Sequence, residues 1–141
     1  MTEQTVVARQ TAQVGSRVTF RKTMTVAEQA MFTGISGNLA PLYVDATKAR
    51  ASGAPGMIAF ELAVAGLATT CLWRLGGADY RLNALNLEFV APVPVGGSVE
   101  ASAEIIAVEG DRLRCRICCT LDLSGTVIEG EAILAPYSRK G

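Results

Sequence analysis

Apolar and polar residues alternate along the second half of this chain, and the rhythm changes near its middle. Over about residues 82–90, Leu85, Leu87 and Phe89 alternate with Asn86 and Glu88, the period-two signature of a strand with one buried face. The same rhythm recurs over about 98–108, 112–123 and 126–134, with turn residues at Glu109-Gly110-Asp111 and Ser124-Gly125. An earlier stretch, 17–23, alternates Val18 and Phe20 with polar neighbours. Between the first strand and the other four lies a segment from Gly56 to about Leu75 that is apolar on nearly every side, which predicts a helix enclosed by other elements. Ala59, Ala63, Ala65, Gly66 and Ala68 keep it thin enough for a sheet to wrap closely, and Gly76-Gly77 ends it.

Two shorter helices are expected before it. Thr25 followed by Glu28 is a capping-box pair opening a helix to about Ile35, with Val26, Ala30, Met31 and Ile35 as its buried stripe. Asp45 can cap a second helix over 46–51, closed by Ser52-Gly53-Ala54-Pro55. The intervening stretch from Ser36 to Asp45 is a constrained loop, because Pro41 fixes its own backbone and pushes Ala40 out of the helical region. One strand, a helical insertion and four antiparallel strands make an α+β order, with the sheet curled around the long helix. The expected organisation is a polar, mobile segment over 1–13 and a single domain over 14–141.

Composition narrows the functional classes. Half of the 141 residues are hydrophobic, enough for one sizeable core. Lys plus Arg and Asp plus Glu are 13 each, so no net positive charge draws a nucleic acid. Met1-Thr2-Glu3-Gln4-Thr5 has neither a basic head nor an apolar run, and the apolar stretch over 57–73 is too short for a bilayer and contains Glu61. These features predict no signal peptide, no membrane span and a soluble, cytoplasmic protein. The chain has no His, and three of its four Cys fall in Arg114-Cys115-Arg116-Ile117-Cys118-Cys119. Strand alternation sends Cys115 and Cys118 to opposite sheet faces, so reduced cysteines are expected rather than a metal site, and no cofactor is called for.

The decapeptide Ser36-Gly37-Asn38-Leu39-Ala40-Pro41-Leu42-Tyr43-Val44-Asp45 resembles the loop of the MaoC-like (R)-specific enoyl-CoA hydratase and hydroxyacyl dehydratase family, whose pattern runs Ser-Gly-Asp-x-Asn-Pro-x-His-x-Asp. Asn38 stands at the position of the catalytic Asp, Tyr43 at that of the His and Ala40 at that of the Asn. The family's Ala-His-Gly-Met appears as Ala54-Pro55-Gly56-Met57, again without His. The likeness extends to Phe89-Val90-Ala91-Pro92-Val93 and Gly96. It implies a hot-dog fold, a homodimer, and an acyl thioester of coenzyme A or an acyl carrier as the ligand.

In that family the carboxylate and the imidazole share a water that adds across a double bond. Asn38 exchanges no proton, and a phenol of pKa about 10 makes Tyr43 a possible acid but a poor base. Asn38 and Tyr43 therefore serve altered catalysis, ligand positioning, or merely a loop hydrogen bond and a half-buried ring. Glu61 is the remaining candidate base; it is either functional or paired, for instance with a neighbour's Arg74 or a strand N–H. Gly56, read as a helix start, offers its N–H to a thioester carbonyl, beside Ser36, Pro55 and Met57 as substrate-binding residues. Two classes of function follow: a hydratase- or dehydratase-like enzyme with an altered site, or a thioesterase using Glu61, against a non-catalytic acyl-binding or structural hot-dog dimer.

Overall fold

The computed structural model describes residues 12–122 and 124–137; most of the expected mobile segment, and Leu123 at the end of one expected strand, lie outside them. Strand β1 (Arg17–Thr23) leads into helices α1 (Val26–Ser36), α2 (Pro41–Val44), α3 (Ala46–Ala51) and α4 (Glu61–Gly76). Strands β2 (Tyr80–Phe89), β3 (Ser98–Glu109), β4 (Arg112–Leu121) and β5 (Gly125–Pro136) follow. All strand pairs are antiparallel, and the sheet order is β1-β3-β4-β5-β2. With α4 packed against the sheet, this is the α+β hot-dog architecture expected from the sequence.

The register explains how a helix fits so close to a sheet. Across β3, β4 and β5 the inward rows read Ala101, Cys119, Ile128, then Ala103, Ile117, Gly130, then Ile105, Cys115, Ala132. Each row combines small residues with one Ile, and all of these except Gly130 are fully buried. The small members leave room for Val64, Leu67, Cys71, Leu72 and Leu75 of α4, which fill the trough. Enclosing one such aliphatic side chain contributes about 1.5–3 kcal/mol. Cys115 and Cys119 therefore act as small apolar residues, and burial pushes their thiols up to about 11 and about 12. Cys118 lies on the opposite face, half-buried, as alternation required.

Three expectations are corrected. Helix α4 begins at Glu61, five residues later than expected, because 56–60 are drawn into extended backbone pairing: Ile58 bridges Pro94, and the Ala59 N–H donates to the Val93 carbonyl at 2.7 Å. In α1 the expected stripe is turned outward, with Val26 60%, Met31 65% and Ile35 81% exposed, and Gln29 is the buried residue instead. Finally, α4 is not enclosed all round. Leu62 and Trp73 are exposed, and a Cβ on Gly66 would meet nothing within 4 Å, so Gly66 does not mediate the close sheet contact. Among the described residues no helix is long and apolar enough to cross a membrane.

Close approach occurs at Gly130 instead, where a Cβ would lie 2.0 Å from the Asn86 carbonyl oxygen across the β5–β2 pair. Backbone cannot yield as a flexible side chain does, so Gly130→Ala is expected to destabilise the fold by about 1–3 kcal/mol. Urea unfolding measures this, and wild-type stability in the variant would show that β2 does not lie so close to β5.

Candidate functional site

The chain between α1 and α4 brings three segments together. Thr25 caps α1 through the full capping box, its hydroxyl accepting from the Ala27 N–H and its own N–H donating to Glu28 at 2.6 Å. Gly37 ends α1 with φ of +74°, a left-handed conformation glycine adopts without strain. Pro41 then opens α2, a single turn the sequence does not reveal, and Asp45 caps α3 by accepting from the Lys48 N–H at 3.1 Å. The outcome places Tyr43 on α2, facing the start of α4.

There the Tyr43 hydroxyl donates to Glu61 Oε1 at 2.7 Å. The Tyr43 ring stacks on Phe60 with centroids 4.4 Å apart, and Phe60 stacks in turn on Phe32 of α1 at 4.6 Å. Hydrogen bonding to the Glu61 carboxylate, with burial added, pushes the Tyr43 phenol up to about 12. Tyr43 is thus a proton-bearing donor throughout the neutral range. Glu61 is the first residue of α4, where the positive end of the helix favours a negative charge. The Arg74 of the same chain lies elsewhere, over the Phe20 ring at 5.8 Å.

The other expected residues are distributed around this pair. Asn38 is exposed and uses its side-chain oxygen within its own loop, accepting from the Ala40 N–H at 2.9 Å. The Ser36 hydroxyl donates to the Phe32 carbonyl at 2.7 Å and accepts from the Asn38 N–H at 3.1 Å, so both residues shape the loop. Gly56 is not at a helix N-terminus, which removes the helix-dipole argument for its N–H. Pro55 is exposed, and Gly56 and Met57 are half-buried. The Met57 carbonyl accepts from the Val95 N–H at 2.9 Å, while the Gly56 and Met57 amides make no backbone hydrogen bond among the described residues.

The sequence reading missed Gln29. Its side-chain amide donates to the Tyr43 carbonyl at 2.8 Å and to the Ile58 carbonyl at 2.9 Å, and accepts from the Phe60 N–H at 3.2 Å. The available signal was a Gln between Val26 and Ala30, within the stretch whose apolar residues predict a core stripe.

A family model described as "MaoC like domain" matches residues 9–123, and the chain belongs to this family of hot-dog hydratases and dehydratases. A curated relative, the 3-hydroxybutyryl-CoA dehydratase of Methylorubrum extorquens, is 29% identical over 124 residues, covering 86% of this chain and 79% of the relative. Among solved structures, the (R)-hydratase from A. caviae involved in PHA biosynthesis superposes with a TM-score of 0.84 at 24% identity, over 89% of this chain and 97% of that one. The fluoroacetyl-CoA thioesterase FlK shares the fold with a TM-score of 0.64 at 19% identity, over 87% and 86%.

The phenol's raised pKa fixes the sign of a stability effect. Below pH about 10 the hydrogen bond contributes fully, and its contribution is lost as pH rises toward the folded value of about 12. Tyr43→Phe should therefore lower stability by about 1 kcal/mol at pH 8, with the gap to wild type narrowing above pH about 10. Denaturant curves across that range check it, and a gap that widens with alkali would contradict the assignment.

Proposed function

We propose that this chain is an acyl-thioester hydratase or dehydratase in which Glu61 carries the proton transfers and Tyr43 holds it in place. The observation that supports this reading is the 2.7 Å hydrogen bond from Tyr43 to Glu61 Oε1. It orients the carboxylate and leaves Oε2 for a water or a substrate proton. The ligand class comes from the Methylorubrum extorquens relative, named a 3-hydroxybutyryl-CoA dehydratase. An acyl-CoA is thus the first candidate substrate, with an acyl-carrier thioester as the related form.

In the hydration direction Glu61 Oε2 takes a proton from water as the water oxygen bonds to Cβ. The π bond shifts toward the carbonyl as an enolate, and the same carboxyl group returns the proton to Cα. Water is consumed, the C=C bond becomes single, and one C–O and one C–H bond form. Tyr43 keeps its proton and fixes the carboxylate. The Gly56 and Met57 amides are the donors assigned to the thioester carbonyl, with Pro55 setting the backbone ahead of them. Ser36 shapes the loop, and Asn38 offers its exposed amide NH2 to a polar part of the ligand. Asn38 has no proton equilibrium of its own, so its place in this scheme is orientation.

Hydrolysis is the second reading, because a carboxylate oriented by one hydrogen bond can equally activate water toward the thioester carbonyl. A homodimer belongs to the same proposal. Strand β2 lies at the sheet edge with Leu82, Leu85 and Phe89 exposed, and its Leu82 lies beside the outward Trp73 of α4. Between them is a cavity of about 140 Å³ lined by Leu72, Trp73, Tyr80, Leu82 and Leu134 among others. An open strand edge next to an apolar stripe is the kind of surface a second copy covers.

Two measurements test this. With crotonyl-CoA, loss of the enoyl absorbance reports hydration and free thiol reports hydrolysis; Glu61→Gln should lower kcat by about 100-fold or more, with a much smaller change in KM. A wild-type chain that does neither reaction would leave acyl binding alone. Light scattering of the wild type should give the mass of two chains and that of Trp73→Glu the mass of one, whereas a monomeric wild type would refute the dimer.

A further inference from the structure

We propose that Gln29 is a positioning residue, which clamps the backbone of Tyr43 to the backbone just before Glu61 and so holds the phenol against the carboxylate. This rests on the reading of Tyr43 and Glu61 as the working pair. Gln29 is 4% exposed and is the one buried polar side chain among the described residues. Its bonds do not stay within α1. They reach two separate segments, α2 through the Tyr43 carbonyl and the pre-helix stretch through the Ile58 carbonyl and the Phe60 N–H. Phe60 adjoins Glu61 in the chain, so what fixes the Phe60 backbone also fixes the point from which the Glu61 side chain departs.

An apolar residue at this position would fill the same space. It would leave the Tyr43 and Ile58 carbonyls and the Phe60 N–H without partners in a buried place. The polar choice therefore serves geometry as well as packing. One turn further along α1, Phe32 stacks on Phe60, and Phe60 on Tyr43. Stacked rings set a spacing but can slide over one another, whereas hydrogen bonds weaken steeply once distance and angle depart from their narrow optimum. The rings and the amide together leave the Tyr43 hydroxyl one favourable place, at Glu61 Oε1. A site loosened by a few tenths of an ångström loses the alignment that proton transfer needs.

The test reads the Tyr43–Glu61 contact without relying on turnover. The chain has three tyrosines, so in a Tyr80→Phe/Tyr137→Phe background the phenolate absorbance reports Tyr43. At pH about 10.5 a free phenol, with its pKa of about 10, is mostly ionised. Tyr43 with Gln29 in place should remain mostly un-ionised, as its value of about 12 requires. In Gln29→Met the ionised fraction at that pH should rise several-fold, with circular dichroism confirming the fold. In the native-tyrosine background, kcat on crotonyl-CoA should fall about 10-fold with KM within about twofold.

Gln29→Asn adds no charge and shortens the amide so that it no longer spans both carbonyls; it should move both readouts the same way and serves if Gln29→Met does not fold. Folded variants whose Tyr43 ionises as in the wild type, with only a lower melting temperature, would overturn the proposal. Unfolding of both would also overturn it, by assigning Gln29 to folding alone. An inactive wild type would instead sink the proposed function and leave Gln29 to be judged by the phenolate signal.

Discussion

Residues 56–60 are held by hydrogen bonds from three directions, and the position of the site depends on them. The Ile58 N–H donates to the Leu42 carbonyl on α2, the Ala59 N–H to Val93 ahead of β3, and the Phe60 N–H to the side chain of Gln29 on α1. These bonds are incompatible with an α-helical ladder through the same amides, so α4 cannot start before Glu61. The result is that the carboxylate stands at the mouth of the helix beside α2, not on its second turn within the sheet. Backbone hydrogen bonds of this kind gain little individually, about 1 kcal/mol net, yet leaving any one of these amides unpaired in a buried place costs more. The segment is fixed by the penalty for every alternative.

Downstream of that junction the fold is governed by volume. The inward rows of β3, β4 and β5 alternate Ala, Cys and Gly with Ile, and α4 presents Val64, Leu67, Cys71 and Leu75 to them. The sheet covers only part of the helix circumference. Leu62, Gly66, Thr69 and Trp73, at helical spacing, share the side turned from the sheet. The two edges of the sheet also differ: β1 carries Arg17, Arg21 and Lys22, which discourage pairing, whereas β2 presents Leu82, Leu85 and Phe89. The bare helix face and the apolar edge meet at Thr69 and Trp73 of α4 and Leu82 of β2, which line one cavity.

The strands were legible in the sequence because a period of two survives small errors of boundary; β1, β3 and β4 alternate in burial as well, whereas β2 keeps the period only in its residues and is mostly exposed. The cap of α1 was legible too, since Thr25 and Glu28 act locally. What local pattern could not supply was the direction α1 faces. Val26, Ala30, Met31 and Ile35 form a plausible apolar stripe, and nothing near them in sequence says that three distant backbone groups need Gln29 instead. The start of α4 was misplaced for the same reason. Gly56 to Phe60 is apolar enough for a buried helix, and its extended pairing is decided by Leu42, Val93 and Gln29, which are far away in the chain. At the site, Tyr43 and Glu61 were each recognisable as odd residues in their surroundings. Their contact depends on the turn at Pro41, which carries no alternating pattern.

The pairing of a phenol with a carboxylate gives the site a defined division of labour. With its proton held to pH about 12, Tyr43 does not relay charge at neutral pH; it presents a fixed O–H. A lone carboxylate at a helix start has two oxygens of equal standing and several rotamers, and side-chain freedom of that kind is lost at a cost when a substrate must be aligned. The bond to Oε1 removes the ambiguity before any ligand arrives, and the stack of Phe32, Phe60 and Tyr43 keeps the donor from following the carboxylate elsewhere. Preorganisation of this sort fixes where the carboxylate is, which is the contribution a scaffold can make when the loop ahead of Pro41 offers Asn38 and no further charged group.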